Sequence, residues 1–285
     1  MRIGINVTPS TDGIEGLTEA ARGFDSAWTN QHPGGWDPLT LLTAVEGGPP
    51  ELGTAIVPTY PRHPVATATE ALTVQALTGG RLTLGVGPSH SWYIAEQLGI
   101  PYASPAGHTR EYLEVLHPLL RGEHVRHSGR FFTVDTRLTA KADPPPVLIS
   151  ALGPRMLEVA RDLADGTIAV WVRPELVAEH LVPGLGAGAR IVVMVLVAVT
   201  GDPDGVRAAV ARDFAKVAEM PAYRAVLDRA GLAGPADTVV AGTEAEVVRE
   251  LRRFRDAGVT DLIVSGLGSP VDRARVRDVV LGGVR

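Results

Sequence analysis

Short runs of β-branched and aliphatic residues alternate with amphipathic helical patterns along the whole chain, and this alternation restricts the fold more than any other feature. Strand, helix and strand in that order imply parallel strands joined by crossover helices. The runs fall near 2–7, 26–31, 52–57, 81–86, 146–151, 167–172, 190–199 and 261–265. Helical patterns cover 14–22, 64–78, 107–121, 154–164, 174–182, 203–229, 243–257 and 270–281. Local punctuation agrees: in "GTEAEVVRELRRFRDAG" Thr243 stands as N-cap with Glu246 three residues on, a capping box, and Gly258 terminates the helix. Eight strands with no compositional break predict an α/β fold of the (β/α)8 TIM-barrel type rather than an open doubly wound sheet. At 285 residues one such barrel takes up the whole chain as a single domain around one core. The segment "GEHVRHSGRFFTVD", between the helix near 107–121 and the strand near 146–151, alternates around Ser128-Gly129 and predicts a small hairpin insertion.

Several function classes drop out on composition. A net charge of −5 without a basic stripe argues against nucleic acid, whose phosphates need clustered Lys and Arg. No apolar run is long enough to span a bilayer, and "MRIGINV" lacks the features of a secretory leader. With Cys 0 there is no disulfide, thiolate nucleophile or cysteine metal site, which suits a reducing cytoplasm. His108, His117, His124, His127 and His180 fall on helices or in the hairpin without metal-ligand spacing, so no metal is expected. Lys141 and Lys216, the only lysines, do not end strands, which removes a Schiff-base aldolase.

In a barrel of this type reactive groups sit at the C-terminal ends of the strands and in the loops that follow. The second strand ends "TNQHP", the third "AIVPTYPRHP" and the fourth "GVGPSHSWY". His32 and His90 therefore fall just past neighbouring strand ends, where an imidazole with an ordinary pKa of about 6.5 can move a proton near neutral pH. The alternative for each is a loop histidine capping a carbonyl. His63, just before Pro64, reads as structural. "GPRML" opens a helix with Gly153, Pro154, Arg155 and Met156, and the amides of a helix N-terminus suit a phosphate, although Gly-Pro is also ordinary punctuation. "GVGPS" lacks the context of a nicotinamide fingerprint. Trp36, Trp92, Tyr93 and Trp171 lie at strand mouths or loops, where aromatics serve either a ligand or packing.

"LGTAIVPTYPRHPVATATEALTVQALTGGRLTLGVGPSH" together with "ISALGPRMLEVARDLADG" resembles the luciferase-like monooxygenase superfamily, and within it the oxidoreductases that use the deazaflavin coenzyme F420. The resemblance runs in order over nearly the whole chain. It implies a non-prolyl cis peptide at Ala55-Ile56, whose bulge supports the central ring of the cofactor. It implies cofactor contacts at Gln31, Gly87, Ser89 and the segment Gly153 to Met156, with Gln31 standing where several relatives have Asp. His32 corresponds to the family's histidine near the reactive carbon. His90 stands where sugar-phosphate-oxidising relatives have a proton-donating Glu, which speaks against that substrate here. Asn6, Trp92 and Trp171 are expected to complete a pocket for a small-molecule substrate, and a homodimer is expected by the same likeness. The activity implied is hydride transfer between deazaflavin C5 and a small organic substrate. The alternatives are an FMN-dependent monooxygenase using reduced flavin and O2, and a non-catalytic flavin-binding protein on the same fold.

Overall fold

The computed structural model describes residues 1–9 and 16–284. Eight parallel strands close into a barrel: β1 (Arg2–Asn6), β2 (Ser26–Thr29), β3 (Glu51–Thr54), β4 (Leu82–Gly87), β5 (Val147–Ser150), β6 (Gly166–Val170), β7 (Arg190–Val199) and β8 (Asp261–Gly266). Each pairs with its neighbours in sequence, and β8 returns to β1 with Arg2 opposite Asp261. Helices on the outside include α1 (Leu17–Ala21), α2 (Pro38–Thr43), α3 (Pro64–Leu77), α4 (Pro105–Leu120) and α5 (Pro154–Leu163). The start of the helical pattern near 14–22 lies outside the described residues. No helix among the described residues is long and apolar enough to cross a membrane.

The strand period of two divides inside from outside, so alternate residues fill the barrel in layers. Trp28 fills the middle with Leu148, Ile168, Val192 and Ile263, all buried. Two glycines admit that indole. A Cβ at Gly53 would lie 2.2 Å from Trp28 Cε3, and one at Gly4 would lie 2.9 Å from Nε1. The layer beneath is ionic, with Arg190, Glu51 and Asp261 at the first positions of their strands. The layer above, at the C-terminal ends, holds small polar groups, including Asn6, Ser150 and Ser265.

Several elements differ from the sequence expectation. α2 is an additional helix, capped by Asp37, whose carboxylate accepts from the Thr40 amide. At six residues it is too short to display a helical period. The single pattern over 203–229 divides into Pro203–Asp213, Ala215–Glu219 and Pro221–Arg229: it breaks at Phe214 (φ −112, ψ 23), and again at Met220, which Pro221 drives into extended backbone (ψ 123). The additional strand Val240–Gly242 pairs with the end of β7. Thr243 and Glu246 form the expected capping box.

Between α4 and β5, Val125–Ser128 and Thr133–Thr136 pair as an antiparallel hairpin. Its tip is clamped by the Glu111 carboxylate of α4, which accepts from the backbone amides of Arg130, Phe131 and Phe132. The hairpin's Phe131 and Phe132 in turn enclose His108, which stacks on Tyr60 at 3.8 Å between ring centroids. Burial pushes His108 down to about 4, against the pull of Glu111. The unfolded chain takes up that proton near 6.5 and the folded protein does not. Stability is therefore expected to be full above that pH and to fall by about 3 kcal/mol as the pH drops towards 4. Urea unfolding at both ends of this window checks it. His108→Phe keeps the stacking and is expected to lose clearly less than the parent; equal losses would assign the acid sensitivity elsewhere.

Candidate active site

The C-terminal end of the barrel carries two separate polar constellations. On the β1, β2 and β8 side, Asn6 Nδ2 donates to Ser265 Oγ (3.3 Å), and Asn6 Oδ1 accepts from the Thr8 amide (3.0 Å). The Thr8 hydroxyl lies 2.7 Å from Asn6 Oδ1 and also within reach of Asn30 Oδ1, one proton for two acceptors. The Asn30 side-chain amide in turn lies 3.2 Å from His32 Nε2. Burial lowers the His32 pKa, so the ring is neutral at pH 7. These residues open onto a cleft of about 710 Å3, walled by Pro9, Pro33 and Trp36, with no charged side chain among its described lining residues.

His90 lies past β4, separated from His32 by β3, and no contact joins the two rings. Its Nε2 is 3.3 Å from the hydroxyl of Tyr223, and the two rings are 5.0 Å apart. Burial lowers the His90 pKa as well. Ser89, just before it, holds a left-handed backbone (φ 61), unusual for a residue with a side chain, and its carbonyl accepts from Tyr102 (2.9 Å). Trp92 is half-buried on the following π-helical turn, Trp92–Gln97, and its Nε1 is buried with no acceptor among the described residues. It is a donor left unmet by the chain.

Between these groups, β3 leaves the barrel through a cis peptide bond, Ala55-Ile56. The bulge is tied back to β2, with Ala55 donating to the Thr29 carbonyl (2.7 Å) and the Gln31 amide to the Ile56 carbonyl (3.4 Å). Gln31 Oε1 accepts from Arg62, a guanidinium that also pairs with Asp37 and Glu70. Beside the bulge, Gly87 stands where a Cβ would lie 2.1 Å from Ser150 Oγ and 3.3 Å from Ile56 Cδ1. At the next junction no side chain caps the N-terminus of α5, and nothing lies within 4 Å of where a Cβ on Gly153 would be. Pro154 and Arg155 are exposed there and Met156 is half-buried.

The sequence matches the family model described as luciferase-like monooxygenase over residues 17–266. The chain belongs to that family. Among its relatives is the 5,10-methylenetetrahydromethanopterin reductase of Archaeoglobus fulgidus, 26% identical over 99% of this chain and 98% of the relative. Solved structures with the same fold include a coenzyme F420-dependent tetrahydromethanopterin reductase from Methanopyrus kandleri, with TM-score 0.80, 23% identity and coverage of 99% and 98%. An F420-dependent secondary alcohol dehydrogenase in complex with an F420-acetone adduct superposes at TM-score 0.83 with 20% identity, covering 100% and 99% of the two chains.

Within this luciferase-like barrel the expected substrate-pocket residues part company. Asn6 lines the cleft and Trp92 is half-buried beside His90. Trp171, in left-handed backbone (φ 61) and 7% exposed, packs instead against Val210, Val239 and Phe214. It is a packing residue: the helices after β7 fold back over the end of β6 and cover its ring. Sequence reasoning put Asn30 at the mouth but missed Thr8, which links it to Asn6 and β8, and missed Tyr223 as the partner of His90. Thr8 and Asn30 lie within two residues of the ends of β1 and β2 and were legible as strand-end polar residues. Tyr223 carries no local signal, being 133 residues from its partner.

Proposed function

We propose that this protein is an oxidoreductase that uses coenzyme F420 to move a hydride to or from a small organic substrate, with His32 or His90 handling the accompanying proton. The observation that carries this reading is the placement, at one end of one barrel, of two imidazoles held neutral by burial and a helix N-terminus left open. The relatives named for F420-dependent or methanopterin reduction support it.

The residues at the mouth suit such a cofactor. The uncapped first turn of α5, with room in front of Gly153, can receive a phosphate on its amides, and the exposed Arg155 adds charge there. Gly87 and Gln31 border the bulge at Ala55 and Ile56, where a flat ring can approach backbone closely, and Ser89 follows two residues after Gly87. Trp92 Nε1 supplies a donor without an acceptor of its own. When bound, the deazaflavin provides the carbon that gives or takes the hydride. The chain's part is orientation, exclusion of water and the proton. In the oxidising direction the hydride leaves a C–H bond as the proton leaves the neighbouring heteroatom for an imidazole lone pair; in the reducing direction both return. The cleft beside His32, lined without charge, favours a neutral substrate over a phosphorylated one.

Titration with oxidised F420, followed by its absorbance, is expected to show saturable binding at one site per chain, with FMN inert in parallel. Binding of FMN with F420 inert would move the protein to the reduced-flavin monooxygenases of the family. Binding of neither would overturn the reading.

A further inference from the structure

We propose that Tyr223 is a positioning residue for His90, holding its imidazole in the Nδ1–H tautomer so that Nδ1 is the proton-bearing nitrogen left for the reacting molecule. The proposal rests on the placement of His90 at the reacting molecule given above and fixes its part: Nδ1–H donates a hydrogen bond to the reacting heteroatom, and the lone pair that takes the proton in the oxidising direction is that of His32.

The contact is a phenol hydroxyl 3.3 Å from an imidazole nitrogen, Nε2. Of the two ways to place the proton, one is favoured by chemistry. A phenol is a far stronger acid than a neutral imidazole N–H, and an imidazole nitrogen is a far stronger base than a phenol oxygen, so the hydroxyl donates and Nε2 accepts. Burial pushes Tyr223 up to about 12, with Tyr102 adding to the shift, so the phenol keeps its proton through the working range. The other titratable group at this spot is that same Tyr102, also raised by burial to about 12 and bonded to the Ser89 carbonyl. No ion pair to His90 is formed among the described residues, and burial lowers its pKa. A neutral ring whose Nε2 lone pair is engaged must carry its proton on Nδ1, and Nδ1 has no partner among the described residues.

The placement of Tyr223 is itself determined by packing. It begins the helix Pro221–Arg229 and joins the apolar cluster of Trp171, Val210, Val239 and Phe214, which seats the helices after β7 on the ends of β6 and β7. Trp171 thus bears on His90 indirectly, through the cluster that seats Tyr223.

Long-range 1H–15N spectra at pH 8 read the tautomer directly. The wild-type protein is expected to show His90 with a protonated Nδ1 and an acceptor-type Nε2. Tyr223→Phe, which keeps the ring, is expected to shift the population towards the Nε2–H form that predominates for histidine in water, and to raise the His90 pKa because the bond to the neutral form is gone. With turnover established, the same variant should lose about 10- to 100-fold in kcat with little change in cofactor affinity. An Nε2–H tautomer in the wild type, or an unchanged tautomer in Tyr223→Phe, would overturn the proposal. The spectra need no cofactor, so failure of F420 to bind leaves this test intact and is distinguishable from failure of the tyrosine assignment.

Discussion

His32→Ala and His90→Ala are each expected to lower turnover with F420 and substrate by about 10²–10⁴-fold while F420 still binds, since removing a general acid or base typically costs that much. The two losses should not look alike. His32 sits on a hydrogen-bonded chain through Asn30, Thr8 and Asn6 to Ser265, so its replacement empties one end of a network that is otherwise retained. His90 has one side-chain partner, Tyr223, and its replacement strands a buried phenol. The pH profile separates chemistry from placement. Both imidazoles titrate below 6.5 because burial disfavours their charged form, so kcat/KM in the oxidising direction should be level from pH 7 upward and decline only as the pH falls through the lowered imidazole pKa. Replacing the histidine that takes the proton should abolish that decline along with most of the rate. Replacing the other should lower the rate and leave the decline in place. Full activity in both variants would remove the imidazoles from the mechanism.

How much of this was legible in the chain follows from the range of each interaction. The eight strands were, because a buried strand announces itself in consecutive residues such as "IVVMVLVAV". His32 and His90 were, because a strand end is a local address. The partner of His90 was not, because the helix bearing Tyr223 is positioned by the packing of Trp171 and Phe214, which no local pattern records. Trp171 misled for the same reason: a tryptophan after a strand has equal claim to mouth and core until the covering segment is placed. The ionic layer at the far end stands between these cases. Arg2, Glu51, Arg190 and Asp261 each open a strand, and strands in one parallel barrel begin on the same face, so their opposite charges could have been matched from sequence.

That layer carries the largest effect expected on stability: Arg190→Met should destabilise the protein by about 3–5 kcal/mol at pH 7, because it leaves buried carboxylates without their main partner. Arg190 donates twice to Asp261, at 3.0 and 2.7 Å, and once to Glu51 at 2.6 Å, while its guanidinium carbon lies 5.7 Å from the Trp28 ring. Asp261 is 2% exposed, and Arg2, the other cation in reach, is half in solvent and cannot replace a bidentate donor. Burial alone would raise the Asp261 pKa, but the hydrogen bonds and charge of Arg190 outweigh it and hold the carboxyl below its ordinary value. The sign follows. Asp261 stabilises the fold above the unfolded carboxylate pKa of about 3.9, and that contribution is lost as pH falls through the lower folded value. In Arg190→Met the balance reverses, burial prevails, and the carboxyl protonates at higher pH. The deficit against the parent should therefore narrow between pH 7 and about pH 4.5, which urea unfolding at the two values measures. Replacing Glu51 and Asp261 by leucine in the Arg190→Met background should recover much of the loss, since the residual cost is desolvated charge and not missing attraction. The face is opposite the mouth, so activity per folded molecule should survive in the single variant. Stability equal to the parent at pH 7 would mean that water or Arg2 satisfies these carboxylates and that the layer is not what closes the barrel floor.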